Sequence, residues 1–315
     1  MTVTDLVPRS ELARHLSALE HGVGAYPTSD RLLRISGDDR LTWLQGQLTQ
    51  DVRTLAPGQS AYGLLLHPNG KILADLDVLC RSSDLVLVCP AEAMDEVSAQ
   101  LERYIMMEDV ELAVLPARVT ALQGPLAAGL RSAITAARGA DAVFEVDRLG
   151  RGGLLVLDTT DDESTSLPAS FADAGGAWVS SDAVTLARLR AGRPAFGVDF
   201  GPSVLPQVAG LTKRAVSFQK GCYRGQEPVV MLEHRGSPPK RLVRLELDAS
   251  APAVPGTSLR AADGAVLGSV TSAARGVDGV IHALGTLKRG AELGDLVAAG
   301  DDGASFAARA LEFVE

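Results

Sequence analysis

The chain has 315 residues and a formal net charge of −9, with 46% hydrophobic and 22% charged residues. This length allows two or three domains with a large core, and the composition excludes bulk disorder. The acidic balance argues against a general nucleic-acid coat. Because no apolar run approaches the ~20 residues of a membrane span and the N-terminus has no secretory pattern, we expect a cytoplasmic protein without a membrane partner.

The cysteines and histidines argue against two further classes. The three cysteines form no CxxC pair, and the five histidines are scattered along the chain. A disulfide framework is therefore not expected, and neither is a metal site built by this chain alone. Cys80 and Cys89 lie in apolar stretches and are predicted to be small buried hydrophobes.

The first half of the chain alternates predicted helices and strands. Residues 10–21 predict an amphipathic helix capped by Ser10, and residues 41–52 predict a short helix that runs into a loop. Two apolar runs around the Pro-Asn-Gly at 68–70 predict a hairpin over residues 62–80. Further strands are predicted at 31–36, 85–90, 110–115 and 117–124, and further helices at 91–104 and 125–137. This alternation is typical of an α+β unit.

The pattern changes toward the C-terminus. Residues 161–176 predict a helix flanked by surface loops, and residues 180–194 predict a helix that a serine caps and Gly192 ends. From residue 241 on, short β-rich pieces alternate with glycine turns. They predict a small all-β barrel or sandwich, whose boundary lies near Pro238 and Pro239.

An unusual stretch, SFQKGCYRGQEPVV, places a cysteine between glycines and cations. Cys222 follows Gly221 directly and precedes Gly225 by three residues, and Lys220 and Arg224 lie two residues away on either side. Nearby cations favour the reactive thiolate, and glycines let a backbone approach a ligand closely. The stretch therefore indicates a functional loop. The alternative is a turn that the glycines only shape, with the cysteine packed beneath it.

The same region is basic. Residues 213–244 carry eight cations and two anions, a net charge of +6, which leaves −15 on the rest of the chain. A cationic segment on an anionic body suggests an anionic ligand or partner, and the alternative is a solvated surface ribbon.

The octapeptide KGCYRGQE resembles the signature of the YgfZ family, the folate-binding relatives of the glycine-cleavage T-protein. Further stretches resemble the same family over most of the chain. They are LQGQLTQDV (44–52), LHPNGKILADL (66–76), LRAGRPAFGVDF (189–200), LPQVAGL (205–211), RGSPPKRLVRL (235–245) and LGSVTSAA (267–274).

The resemblance implies an α+β fold with a three-lobed, T-protein-like arrangement around a central hole and a C-terminal β-barrel. The implied domains are a folate-binding module at 1–240 and a barrel at 241–315. The module would consist of two interleaved lobes, roughly 1–50 with 140–240, and 51–139.

The resemblance also implies a site. The motif cysteine, Cys222, would be the prime functional residue, framed by Lys220, Gly221, Tyr223, Arg224, Gly225, Gln226 and Glu227. The cofactor would be tetrahydrofolate or a one-carbon derivative. Candidates for binding it are Tyr62, Asp75, Gln207, Arg190 and Arg235, with Trp43 and Trp178 as further aromatic candidates.

Two positions depart from the T-protein pattern. Val208 stands where T-proteins have a glutamate, and Ala74 with Asp75 stands where they have a pair of aspartates. Carboxylates hold the donors of the pterin and handle protons, so these changes argue against efficient aminomethyl transfer.

Three functional hypotheses follow. The first is a tetrahydrofolate-binding accessory factor that assembles or repairs iron–sulfur proteins and has client or assembly proteins as partners. Three cysteines cannot supply the usual four thiolates of a cluster, so the chain itself is not expected to carry one. The second is a folate-dependent aminomethyl- or methyltransferase with Asp75 as its proton handler. The third is an RNA-related role of residues 213–244, against which the acidic chain and the lack of an aromatic platform count.

Overall fold

The computed structural model describes residues 8–158, 167–251, 254–300 and 304–315. Its α-helices are α1 Arg9–His21, α2 Arg40–Gln45, α3 Met94–Glu102, α4 Arg131–Arg138, α5 Ser170–Asp173, α6 Ser181–Arg190, α7 Thr212–Ala215 and α8 Gln226–Arg235. Its first ten strands are β1 Val23–Pro27, β2 Arg31–Ser36, β3 Ser60–Leu66, β4 Ile72–Cys80, β5 Leu85–Cys89, β6 Glu111–Leu115, β7 Arg118–Gln123, β8 Val143–Glu145, β9 Gly153–Asp158 and β10 Gly176–Trp178. The remaining strands are β11 Lys240–Leu247, β12 Ser258–Arg260, β13 Val266–Arg275, β14 Ile281–Lys288, β15 Gly294–Ala299 and β16 Ser305–Phe313.

These strands form two open sheets and one barrel. The first sheet has the order β10-β1-β7-β9-β8, and the second has the order β3-β4-β5-β2-β6. Strands β11 to β16 close into a barrel in the order β11-β14-β13-β12-β15-β16. The predicted α+β fold with a C-terminal β-barrel is confirmed.

The two open sheets share a hydrophobic cluster. Leu32 and Val88 of the second sheet belong to the same buried cluster as Val119, Phe144 and Leu155 of the first. A second cluster fills the other face of the second sheet, and the barrel has an interior cluster of its own. Burial of apolar area at these layers is the main stabilising contribution.

Strand membership differs from the predicted lobes in two places. Strand β2 lies between β5 and β6 of the second sheet, although its residues were assigned to the lobe at 1–50 with 140–240. Strand β7 lies between β1 and β9 of the first sheet, although its residues were assigned to 51–139. The domain bounds themselves stay a prediction.

The predicted helix ends hold at one place and fail at another. Ser180 caps α6, because its hydroxyl accepts a hydrogen bond from the N–H of Ala183 at 3.4 Å. Ser10 does not cap α1, which begins at Arg9 after Pro8 without a side-chain cap. The helix predicted within 161–176 is α5, and its predicted start lies outside the described residues.

One buried carboxylate joins α6 to the barrel. Asp199 accepts hydrogen bonds from the hydroxyls of Thr271 and Ser272 on β13 at 2.6 and 2.5 Å. It also accepts from the guanidinium of Arg188 at 2.6 Å and from the N–H of Ala195 at 3.0 Å. The barrel is thereby fixed against the segment that leads toward the cysteine motif. Within the described ranges, no helix has both the length and the apolar character that crossing a bilayer requires.

Candidate functional site

The cysteine motif is tied to a segment far away in the sequence. The ammonium of Lys220 donates hydrogen bonds to the carbonyl oxygens of Gln45, Leu48 and Gln50 at 2.7, 2.7 and 2.9 Å. The N–H of Arg224 donates to the carbonyl of Gly46 at 3.1 Å. The stretches 44–52 and 220–227, which both resemble the family, therefore form one substructure.

The two predicted cations beside the thiol have other partners. Burial lowers the pKa of Lys220 to about 8, although its ammonium is held by three carbonyls. The guanidinium of Arg224 lies over the ring of Tyr104. A role of these cations at the thiol of Cys222 stays a prediction, and their observed contacts are structural.

The predicted loop continues into a helix that the sequence analysis missed. Gly225 precedes α8 with φ +73°, and a Cβ at this position would lie 2.4 Å from the carbonyl oxygen of His67. Gly70, at the turn of the β3–β4 hairpin, also has a positive φ and packs against the start of α8 at Pro228. The turn and the helix therefore meet only because both positions are glycine.

Gly221 differs from Gly225. An added Cβ at Gly221 would have no atom within 4 Å, and its φ lies outside the left-handed region. Of the two glycines around the cysteine, only Gly225 has a positive φ. Nothing in the fold requires a glycine at position 221.

Cys222 lies in an open groove of about 800 Å³, here named the Cys222 groove. Its thiol is exposed, whereas Cys80 and Cys89 are buried as predicted. The groove is lined by Pro68, Cys222, Tyr223, Gly225, Gln226, Glu227, Val230, Met231, His234 and Arg235. Four residues of the predicted frame and Arg235 are therefore brought together with the cysteine.

Tyr223 and Gln226 shape the base of the groove. Gln226 accepts a hydrogen bond from the N–H of Tyr223 at 3.0 Å, which fixes the turn before α8. Tyr223 is 7% exposed, and its buried hydroxyl has no hydrogen-bond partner in the part of the chain that the structure describes. Burial raises the pKa of Tyr223 to about 12.

A second cavity, of about 270 Å³, contains Tyr62 and Asp75 and is here named the Asp75 cavity. The hydroxyl of Tyr62 donates to Oδ2 of Asp75 at 2.8 Å. The other carboxylate oxygen, Oδ1, is buried and has no partner among the described residues. Burial raises the pKa of Asp75 to about 6, and the hydrogen bond from Tyr62 offsets this only in part.

The Asp75 cavity has charged residues that the sequence analysis missed. Arg148 donates to the carboxylates of Asp30 and Asp77 at 2.5 and 2.9 Å, and all three line the cavity. The guanidinium of Arg214 lies 4.8 Å from the ring centre of Tyr62. Burial raises the pKa of Asp77, which the cation of Arg148 counteracts.

The second carboxylate of the cavity is Asp77, not a residue at position 74. Asp75 and Asp77 are two residues apart on β4 and so point to the same side of the sheet. Ala74 is fully buried in the core on the other side. The departure at Ala74 therefore does not deprive the cavity of a second carboxylate. The alternation of polar and apolar residues in β4 could have shown this.

The remaining candidates for folate binding do not line the Asp75 cavity. Gln207 lines a different depression, and its amide donates to the carbonyl of Val229 at 2.8 Å. Arg190 pairs with Glu20 at 3.0 Å and donates to the ring of His282 at 3.3 Å. Arg235 lies in the Cys222 groove. Of the predicted set, only Tyr62 and Asp75 share a cavity.

The aromatic candidates and Val208 also lie elsewhere. Trp43 is buried in the core and donates from its indole to the carbonyl of Tyr104 at 2.9 Å. Trp178 is partly exposed on β10. Val208 is buried, and its carbonyl accepts the N–H of Leu242 at the first barrel strand. None of the three is among the residues that line the Asp75 cavity.

The basic segment 213–244 is partly neutralised by the protein itself. Of its eight cations, Lys213 and Arg241 pair with Glu315, and Arg244 pairs with Glu312. Arg214 and Arg224 contact aromatic rings, and Lys220 contacts carbonyl oxygens, which leaves their charges in place. The RNA-related role of this segment stays a prediction.

Alanine substitutions of the two glycines around the cysteine should differ in their effect on stability. Gly225→Ala should lower the free energy of unfolding by about 2–4 kcal/mol, since it adds backbone strain and a collision with His67. Gly221→Ala should change it by less than about 0.5 kcal/mol. Urea denaturation of both variants measures these values, and equal stabilities would contradict the packing of the hairpin turn against α8.

The raised pKa of Asp75 predicts a pH-dependent stability. The folded pKa of about 6 exceeds the ordinary value of 3.8, so the folded state binds this proton more tightly. Below pH 4 the carboxyl of Asp75 is protonated in both states and does not destabilise the fold. The free energy of unfolding falls as the pH rises from about 4 through 6. Asp75→Asn should be more stable than the wild type at pH 7.5 by up to about 3 kcal/mol, and equally stable near pH 4.

Urea denaturation between pH 4 and 7.5 tests this prediction. Asp77→Asn is the matched control, because it faces the same cavity but weakens the ion pairs of the buried Arg148. It should be less stable than the wild type at pH 7.5. A constant difference between Asp75→Asn and the wild type across this range would rule out a buried, titrating carboxyl.

The chain is similar in sequence to several known proteins. The family model of the GCVT N-terminal domain matches residues 12–148. The tRNA-modifying protein YgfZ of Yersinia enterocolitica is 26% identical over 241 residues, 71% of either chain. That of Klebsiella pneumoniae is 29% identical over 232 residues, 70% of either chain. A putative chloroplast transferase of Arabidopsis thaliana is 27% identical over 313 residues, 91% of this chain and 70% of the relative.

Among solved structures, the glycine cleavage system aminomethyltransferase T from Bartonella henselae matches with a TM-score of 0.81. The match covers 96% of this chain and 88% of that chain at 22% identity, and it shows the shared fold. The YgfZ relatives support the resemblance that the KGCYRGQE motif carries. The chain is thus similar to the YgfZ proteins and shares the fold of the glycine-cleavage T-protein.

Proposed function

We propose that the chain binds a reduced folate, tetrahydrofolate or a one-carbon derivative, in the Asp75 cavity. The observation that supports this is the unpartnered oxygen of Asp75. Tyr62 holds one carboxylate oxygen, and the other is buried in the cavity without a donor among the described residues. A pterin carries neighbouring N–H and amino donors, and a carboxylate is the group that accepts such a pair.

The neighbouring charges are compatible with this assignment. Asp77 is occupied by Arg148, so it leaves Asp75 as the free acceptor. Phe196 and the ring of Tyr62 give the cavity apolar surface for a flat heterocycle. When bound, the folate would supply a carrier for one-carbon units, while the protein orients the pterin through Asp75.

We further propose that the chain acts through Cys222 as an accessory factor for the assembly or repair of iron–sulfur proteins. Its thiol is exposed in an open groove, where another macromolecule has access to it. Cys80 and Cys89 are buried, so the chain does not present the thiolates that would hold a cluster of its own. The YgfZ relatives are named tRNA-modifying proteins, which suggests a tRNA-modifying enzyme among the clients.

A second candidate is a folate-dependent aminomethyl- or methyltransferase. It is favoured by the carboxyl of Asp75, whose pKa of about 6 suits a group that takes up and releases protons near neutrality. The Arabidopsis relative is named a putative transferase. Formation of a one-carbon folate from an amine donor would favour this candidate over the accessory role.

Folate binding is tested by titrating tetrahydrofolate under reducing, oxygen-free conditions into the wild type and Asp75→Asn. The variant should bind at least tenfold more weakly, because its amide presents a donor where the pterin also donates. Asp95→Asn, at an exposed surface pair with Arg31, is the control and should bind like the wild type. Equal tetrahydrofolate affinity of Asp75→Asn and the wild type would contradict pterin binding in this cavity.

The role of the thiol is tested by complementation of a bacterial strain that lacks its own YgfZ protein. Cys222→Ala should fold, should bind folate like the wild type, and should fail to restore iron–sulfur enzyme activity and the normal nucleosides of tRNA. Cys222→Ser, which keeps the size and polarity of the side chain, should fail as well. Full restoration by either variant would show that the thiol of Cys222 is not needed for the function.

A further inference from the structure

The Cys222 groove has two features that neither the fold nor the Asp75 cavity uses. The thiol of Cys222 is exposed and follows the unencumbered backbone of Gly221. Met231, on the wall formed by α8, exposes 54% of its surface. Together they describe a place where something else makes contact.

The α8 wall of the groove carries opposite charges near its two ends. Glu227 and Arg235 both line it from α8 and are eight residues apart, about 12 Å along the helix axis at 1.5 Å per residue. Val230 and Met231 lie between them. The wall therefore runs from an anion near the helix N-terminus through an apolar centre to a cation.

This pattern fits an extended peptide. An extended chain advances about 3.3 Å per residue, so two of its side chains four positions apart are about 13 Å apart. A basic side chain would meet Glu227 and an acidic one Arg235, while an apolar side chain between them would cover Met231. The main chain would pass the bare backbone of Gly221.

We infer that the Cys222 groove docks an extended segment of a partner protein that carries one basic and one acidic side chain four residues apart, with an apolar side chain between them. The inference rests on the proposed function only in naming that partner as an iron–sulfur client or assembly protein. The docked segment brings the partner to the thiol of Cys222.

Charge argues against other occupants. A nucleic-acid backbone and the polyglutamate tail of a folate are uniformly negative, so either would be attracted by Arg235 but repelled by Glu227, whereas a segment with one charge of each sign pairs with both residues. A single flat heterocycle would leave most of a groove of about 800 Å³ unfilled, and the Asp75 cavity of about 270 Å³ encloses it better.

Selection from random dodecapeptides displayed on phage, panned against the full chain, tests the inference. The wild type should enrich peptides with a basic and an acidic residue four apart around an apolar one. Glu227→Lys should instead enrich peptides with two acidic residues. Glu233→Lys, an exposed change on the same helix that faces a different depression, should enrich the wild-type pattern.

Binding of one selected peptide gives the magnitude. Glu227→Lys should bind it at least fivefold more weakly, and exchanging the basic residue of the peptide for glutamate should restore the affinity. Such a restoration does not arise from a merely structural effect of the variant. The absence of a consensus, or a consensus that Glu227→Lys leaves unchanged, would overturn the inference.

Gly221→Ala tests the close approach of the peptide to the backbone. It should keep its stability and folate binding and lose at least fivefold in peptide affinity. Gly129→Ala is the matched control, since a Cβ there also has no atom within 4 Å, and it should bind peptide like the wild type. Unchanged peptide affinity of Gly221→Ala would contradict this geometry.

The two proposals fail separately. A wild-type chain that does not complement the deficient strain would overturn the accessory role, while the peptide selection would still be readable. A chain that complements through Cys222 but selects no consensus would overturn the docking groove alone.

Discussion

The half-buried ammonium of Lys220 makes the interaction on which the geometry around the cysteine depends. An ammonium has three donors, and all three are used on carbonyls of the segment that follows α2. Charge-assisted hydrogen bonds of this kind are about twice as strong as neutral ones. The first residue of the octapeptide is thus a fixed point, and Cys222 lies only two residues from it.

The second constraint is the β3–β4 hairpin, which contributes to both regions of interest. Tyr62 and Asp75 lie in its strands and line the Asp75 cavity. Pro68, at its turn, lines the Cys222 groove. Gly70 and Gly225 bring this turn against the start of α8 at contact distance. One supersecondary unit therefore positions the carboxyl that is proposed to meet the pterin and one wall of the groove that holds the thiol.

Local patterns were sufficient for much of this architecture. The hairpin turn, the capped helix α6 and the β-rich C-terminal part follow from residue types a few positions apart, and the structure contains all of them. The helix α8 was missed because Gly225 and Pro228 indicate a loop. A proline in the first turn of a helix is nevertheless tolerated, since its missing N–H would have no partner there.

What local patterns could not reveal are contacts between distant parts of the chain. The carbonyl partners of Lys220 lie 170 to 175 residues before it. The pairing of Arg148 with Asp30 and Asp77 likewise depends on how the two sheets pack. Asp77 was within reach of sequence reasoning, because alternation along β4 places it beside Asp75. The adjacent aspartates of the T-protein pattern correspond instead to Ala74 and Asp75.

The β3–β4 hairpin also separates the proposed pterin site at Asp75 from the turn that borders the Cys222 groove. From Asp75 back to Ile72, where β4 begins, the strand advances about 10 Å, and the turn that borders the groove lies beyond it. Direct reaction of a one-carbon group on the pterin with the sulfur would need the pterin to lie elsewhere or to extend far from its anchor. The paired strands β3 and β4 are thus the part of the chain that links the two places.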